Sequence, residues 1–272
     1  MLRDQMYGKA ASQHNTTAMR EEVVDVSRLF SLKGKTAIVT GGSRGIGFAL
    51  CEGLAQAGAQ VVAVARSDKP DTPFSVGEIE YQSADITKSL TGTFTDIALR
   101  FGGLHVLVNA AGISVPSIGS STDLEHAFDH TIDVNLRAAY SCCVAARPLM
   151  TAGGSIINVT SIGSVIGFPG NPGYVAAKGG LRMMTKALAI DYGEAGIRVN
   201  ALAPGYIRTA MTRGSFEDEA LHEQRRRHTC LGRWGTVEDL VGAVIFLASE
   251  ASGYVTGQDL FVDGGWTAKG LV

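Results

Sequence analysis

Short apolar runs, nearly unbroken and rich in β-branched residues, recur along the chain, each separated from the next by a stretch of helical character. Residues 36–40, 60–65, 105–109, 155–160, 198–203 and 259–262 read as strands, with 79–82 as a weaker one. Residues 46–57, 91–101, 124–150 (as one or two pieces), 174–192 and 237–248 read as helices. A strand with one wet face alternates polar with apolar, whereas a strand covered on both faces is apolar throughout. Strands of the second kind alternating with helices specify an α/β fold: a single Rossmann-type doubly wound parallel sheet with helices on both faces. No linker or repeat interrupts the pattern, so residues 31–272 read as one domain. Residues 1–30 are polar and aperiodic and read as a flexible N-terminal extension.

The first strand runs into Thr40-Gly41-Gly42-Ser43-Arg44-Gly45-Ile46-Gly47, which opens the first helix. Glycines at such a turn let the backbone approach a pyrophosphate, which then rests on the N–H groups of the helix start. The spacing of Gly41, Gly45 and Gly47 departs from the Gly-x-Gly-x-x-Gly fingerprint. Farther on, Tyr174 and Lys178 stand four apart and on a helix share one face. A phenol with a reference pKa near ~10 stays protonated at neutral pH, and an adjacent ammonium favours the phenolate. Bringing the pKa to about 7 takes roughly 4 kcal/mol of electrostatics. Ser161 ends the fifth strand, and in an α/β sheet the ligand crevice lies at the carboxyl ends of the strands.

These motifs in this order resemble the short-chain dehydrogenase/reductase family, which carries Thr-Gly-x-x-x-Gly-x-Gly at the first turn. Asn109-Ala110-Ala111-Gly112 resembles its Asn-Asn-Ala-Gly strand end, with alanine in place of the second asparagine. Asn135, Ser161, Tyr174 and Lys178 fall where its catalytic tetrad lies, and Pro204-Gly205 followed by Thr209 resembles its later cofactor-clamping loop. The resemblance covers about residues 33–267. It implies a dinucleotide-binding catalytic domain that moves a hydride between NAD(P) and a secondary alcohol or ketone. It also implies a set of cofactor contacts. Gly41, Ser43, Arg44, Gly45, Ile46 and Gly47 would hold the pyrophosphate, Asp85 and Ile86 would flank the adenine, and Asn109, Ala110 and Gly112 would line the ribose side. Pro204, Gly205, Ile207 and Thr209 would meet the carboxamide and phosphates. Tyr174 would exchange the proton with an alcohol held by Ser161, while Lys178 stabilises the phenolate and binds the nicotinamide ribose. Asn135 would kink its helix and hold a water that links Lys178 to solvent.

The choice of nicotinamide turns on the end of the second strand, where an acid usually meets the ribose 2′-hydroxyl of NAD. Ala65 stands there, followed by Arg66. With no carboxylate to repel a 2′-phosphate, and with Arg66 and Arg44 able to grip one, NADP(H) is favoured. The alternative is that both arginines are solvated and Asp68 takes the ribose of NAD(H).

Gly232-Arg-Trp-Gly235 and Phe261-Val-Asp-Gly-Gly-Trp266 resemble the family branch acting on sugar acids and keto-sugars, such as gluconate 5-dehydrogenases and keto-deoxygluconate dehydrogenases. The expected substrate is therefore a sugar acid, keto-sugar or polyol, with a 3-oxoacyl-carrier reductase as the alternative. Ser114, Gly163, Pro169 and Tyr206 are the substrate-facing candidates. Residues 206–231 are polar, helical and long for a connector, and read as a lid. Within them Arg225-Arg226-Arg227 could meet an anionic substrate, with Arg227 the residue to test, or could simply be a solvated face. Family members are commonly tetramers, which implies a homotetramer built on residues 140–150 and 258–262, with Trp266 reaching a neighbour's site. The balance of 24 basic and 26 acidic residues lacks the basic footprint of a nucleic-acid binder. No apolar run has the ~18 residues of a membrane span. Four cysteines without a paired spacing point to reduced thiols, no metal site and a cytoplasmic location.

Overall fold

A computed structural model describes residues 24–76, 79–115 and 123–270. Seven strands, β1 (Thr36–Thr40), β2 (Gln60–Ala65), β3 (Ile79–Ser83), β4 (Leu104–Asn109), β5 (Met150–Val159), β6 (Arg198–Pro204) and β7 (Asp259–Val262), form one sheet in the order 3-2-1-4-5-6-7. Every pairing is parallel. Successive side chains of a strand point to opposite faces, and the core divides accordingly. Ala37, Val39, Val61 and Ala63 face α2 (Gly45–Gln56) and α9 (Val241–Ala248), through Leu50, Leu54, Val244 and Leu247. Ile38, Val62, Val64, Leu107 and Ile156 face the other way, onto α3 (Thr91–Phe101), α5 (Ala138–Ala146) and α6 (Pro172–Gly193), through Phe94, Ile97, Cys142 and Leu188. Both faces are dry, as the unbroken apolar runs require.

Three local departures from the sequence reading have physical causes. The helical stretch expected to run to residue 150 ends as α5 at Ala146, and a single tight turn follows over Arg147–Leu149. Pro148 has no N–H to continue the helix, and Met150 instead pairs with Leu104 to begin β5 five residues early. In the same stretch α4 (Leu124–Ile132) passes into α5 through one wide π-helical turn, Asp133–Arg137, which contains Asn135. At the N-terminus, residues 1–23 of the expected extension lie outside the described residues, but its last part is folded. Asp25 caps a short turn α1 (Val26–Leu29), the Phe30 ring lies 6.5 Å from Phe246, and Leu32 is fully buried. Two further helices, α7 (Arg213–Glu217) and α8 (Glu219–His228), occupy the stretch read as a lid.

Candidate active site

The strand order reverses between β1 and β4, and there the carboxyl ends of neighbouring strands splay to leave a crevice. Gly41 leaves β1 at φ +73°, and a Cβ on it would lie 2.6 Å from the Cα of Ala111, so the two strand exits meet backbone to backbone. A Cβ on Gly47 would collide with the carbonyl oxygen of Gly41. Arg44 precedes α2 in extended conformation, and no side chain caps the helix start. Unclaimed N–H groups at a helix N-terminus beside so narrow a glycine turn suit a phosphate. Gly45 lies under the Thr209 side chain, 3.8 Å from its own Cβ position, so the loop after β6 closes over the turn. The Ser43 carbonyl accepts the Asp71 N–H at 3.0 Å. Gly205 is pressed against Asp263, and Ile207 is buried and bridged to Gly235.

Arg44 and Arg66 are exposed and form no ion pair among the described residues. The Asp85 carboxylate accepts the Thr87 N–H at 2.9 Å and its hydroxyl at 2.8 Å. These bonds, with a smaller contribution from Arg66, hold Asp85 below the usual carboxylate range. Ile86 packs at the edge of the core under α3. Asn109 Nδ2 donates to Asn158 Oδ1 at 2.9 Å and also faces Cys143 Sγ and the Ala139 carbonyl, while its Oδ1 is buried without a partner. Its Nδ2 thus ties β4 to β5.

The acid–base group gathers beyond β5. Ser161 follows that strand in extended conformation; its Oγ accepts the Gly163 N–H at 3.0 Å, and its hydroxyl is near enough to the Tyr174 phenol to favour the phenolate. Tyr174 enters the first turn of α6 because Pro172 presets the helix start and Asn171 accepts the Tyr174 N–H at 3.3 Å. One turn on, Lys178 is 5 % exposed and donates from Nζ to the Val159 carbonyl at 2.7 Å. Asn135 Oδ1 accepts the Ile113 N–H and its Nδ2 donates to the Ile113 carbonyl, both at 2.8 Å. Asn135 Oδ1 and Lys178 Nζ both border Gly112, at 3.3 and 3.6 Å from the position of a Cβ.

The electrostatics correct one sequence expectation. Burial pushes the Tyr174 phenol above its ordinary value, the nearby Ser161 hydroxyl opposes this, and the Tyr206 phenol adds to it. In this arrangement burial outweighs the pull of the Lys178 ammonium on the phenol. Its Nζ is 5.8 Å from the Tyr174 ring centre and is committed to Val159, and burial pushes its own pKa down to about 8.

The substrate side is walled by aromatic residues. The Tyr206 ring lies 6.2 Å from Phe168, 5.4 Å from Trp234 and 4.7 Å from Trp266. Gly163 has Phe168 on one side and the Tyr174 ring on the other, at 2.8 and 3.4 Å from its Cβ position. Ser114 accepts from Asn171 Nδ2 at 2.7 Å, and Pro169 is exposed. Trp266 packs 4.3 Å from His228 as well as against Tyr206. Of the three lid arginines, Arg226 and Arg227 pair with Glu223. Arg225 alone turns inward and stacks on Tyr206 at 4.4 Å. Reading the sequence missed Phe168, Trp234 and Ile113; only a map of which loops converge would have found them. Among the described residues no helix is long and apolar enough to cross a membrane, and no cluster of three or more His, Cys, Asp or Glu side chains could hold a metal ion.

Comparison with known proteins bears on this arrangement. Residues 41–267 match the family model described as enoyl-(acyl carrier protein) reductase, a model of short-chain dehydrogenases/reductases. The chain belongs to the short-chain dehydrogenase/reductase family. It is accordingly an oxidoreductase acting on CH–OH groups. Gluconate 5-dehydrogenase of Gluconobacter oxydans is 38 % identical over 251 residues, 89 % of this chain and 98 % of that protein. The 3-oxoacyl-acyl-carrier-protein reductase FabG of Chlamydia muridarum is 38 % identical over 248 residues, covering 86 % and 98 %. The crystal structure of a gluconate 5-dehydrogenase from Burkholderia cenocepacia in complex with NADP and tartrate superposes with a TM-score of 0.84 at 34 % identity, covering 90 % of this chain and 100 % of that one. This short-chain dehydrogenase thus has relatives named for different substrates, a 3beta-hydroxysteroid dehydrogenase of Eggerthella lenta at 38 % identity over 248 residues, 87 % of this chain and 95 % of that protein, among them, and its own crevice must decide between them.

Proposed function

We propose that residues 31–272 form one catalytic domain that oxidises a sugar acid or related polyol, or reduces the matching keto compound, with NADP(H). The observation that carries the reading is the gathering of the Ser161 hydroxyl and the Tyr174 phenol, with the buried Lys178 one helical turn away, beside a glycine turn shaped for a phosphate. Gly41, Ser43, Gly45, Ile46, Gly47 and Thr209 would hold the pyrophosphate, and Arg44 and Arg66 a 2′-phosphate. Asp85, Ile86, the backbone of Asn109, Ala110 and Gly112, Pro204, Gly205 and Ile207 would complete the binding surface. When bound, the dinucleotide supplies or accepts the hydride.

The residues of the chain manage the proton and the position of the substrate. The raised phenol of Tyr174 suits it to stay protonated and act as the acid in ketone reduction, donating its proton to the oxygen that Ser161 orients. In alcohol oxidation it must lose that proton, which needs positive charge nearby. Lys178, with a pKa of about 8, is still an ammonium at neutral pH and can provide that charge when it exchanges Val159 for a ribose hydroxyl. Asn135 holds Ile113, and with it the chain around Gly112, beside Lys178, where a water path to solvent would return the proton.

The gluconate 5-dehydrogenase relatives and the NADP-bound neighbour support the choice of substrate class and cofactor. The exposed Tyr140 and Val144 on α5 and the open edge at β7 support assembly as a homotetramer, and four unpaired thiols support a cytoplasmic location. The test is a panel of sugar acids, polyols, steroids and acyl-carrier thioesters followed by nicotinamide absorbance with both cofactors. Turnover of sugar acids with NADP is expected, and Tyr174→Phe should reduce it by about 10²–10⁴-fold. Turnover of acyl thioesters alone would overturn the substrate assignment, and survival of turnover in Tyr174→Phe would overturn the mechanism.

A further inference from the structure

Three consecutive arginines leave α8 in directions about 100° apart, and the structure separates their roles. Arg226 makes two bonds to Glu223, of 2.6 and 2.8 Å, and a third to the Gly232 carbonyl. Arg227 is 75 % exposed and bonded to the same Glu223 at 2.6 Å. Arg225 lies on the opposite face, in the row His222–Arg225–Thr229. Its guanidinium is stacked 4.4 Å from the Tyr206 ring centre and 5.7 Å from that of Trp234. Two buried side-chain polar atoms among the described residues have no hydrogen-bond partner, and one of them is Arg225 Nη1. No carboxylate among the described residues pairs with Arg225.

Stacking on an aromatic ring engages the flat face of a guanidinium and leaves its N–H edge free. A buried N–H of a charged group without a partner is costly, and the partner that matches its planar fork best is a carboxylate. The ring that carries Arg225 also lines the reacting end of the site: Tyr206 packs on Phe168, which with Tyr174 brackets Gly163. We propose that Arg225 is the specificity-determining residue that receives the substrate's carboxylate, with Tyr206 and Trp234 holding its guanidinium in place. The substrate class is then a hydroxy or keto acid, extended so that its carboxylate meets Arg225 while a carbinol farther along the chain lies against Ser161 and Tyr174. This rests on the sugar-acid reading above and names the group that enforces it. Arg227, which the sequence singled out, belongs to the solvated face.

The test compares D-gluconate with D-gluconamide, which differ only in the charged end, using NADP absorbance and four proteins: wild type, Arg225→Gln, Arg225→Lys and Arg227→Gln. Arg225→Gln should lower kcat/KM on gluconate about 30–100-fold, through KM, and leave gluconamide within about threefold. Arg225→Lys keeps the charge but not the fork, and should lose about tenfold on gluconate alone. Arg227→Gln should match wild type. Both tryptophans of the chain, Trp234 and Trp266, touch this cluster, so quenching of intrinsic fluorescence by gluconate gives a binding constant independent of turnover. It should weaken in step with KM. Equal losses on acid and amide, or undiminished gluconate binding in both Arg225 variants, would overturn the proposal. If wild type turns over neither compound yet acts on another member of the panel, the sugar-acid reading itself falls, and this assignment with it.

Discussion

A lysine buried to 5 % exposure with a pKa near 8 carries a stability cost that can be read out as a function of pH. In the unfolded chain its pKa is 10.5, so folding lowers it by about 2.5 units, equivalent to about 3 kcal/mol. The folded-state value is the lower one, so above about pH 8 the unfolded chain binds more protons than the native one and stability rises with pH. The full cost is present below about pH 8 and is relieved as the pH climbs towards 10.5. Between pH 7 and 9.5 wild type should recover about 2 kcal/mol of it. Lys178→Met has no such group, although it also deprives the Val159 carbonyl of its donor, which shifts its stability by a constant. The assay is urea unfolding of both proteins at fixed concentration and several pH values. Wild type should gain about 2 kcal/mol relative to the variant over that range. Parallel stability profiles would refute the account of a dry, depressed ammonium, and with it the argument that Lys178 is poised to change partners.

Two further outcomes follow from the geometry. Replacing Arg44 and Arg66 together by alanine should reduce the preference for NADP over NAD, measured as the ratio of kcat/KM values, by about 10–100-fold while leaving NAD turnover intact, because no carboxylate among the described residues pairs with either cation. Asn135→Ala strips both the N–H and the carbonyl of Ile113 of their partners and should cost about 2 kcal/mol in urea unfolding; a loss under about 0.5 kcal/mol would show that those bonds do not hold the turn.

The sheet was legible because burial on both faces leaves a direct mark on composition, and residues 36–40 or 60–65 could hardly be anything but central strands. The glycine turn and the Tyr174–Lys178 pair were legible because each depends on spacing within one element. What escaped depends on two elements meeting. The wide turn at Asp133–Arg137 exists alongside the two hydrogen bonds of Asn135 to Ile113, 22 residues away. The raised phenol and depressed ammonium come from burial, a property of packing rather than of the Tyr-x-x-x-Lys pattern. Choosing Arg225 over Arg227 requires knowing where α8 begins, and Asp218 sets this by capping the Leu221 N–H.

The seam where Gly41 meets Ala111 has a consequence for biosynthesis. β1 has β2 on one side, synthesised within the next two dozen residues, but its other neighbour β4 ends at Asn109. Until that segment leaves the ribosome, one edge of a strand buried along its whole length stays open and the glycine turn lacks the backbone it packs against. A nascent chain arrested before that point therefore presents a sticky, half-built sheet, and this interval is when it is most prone to aggregate.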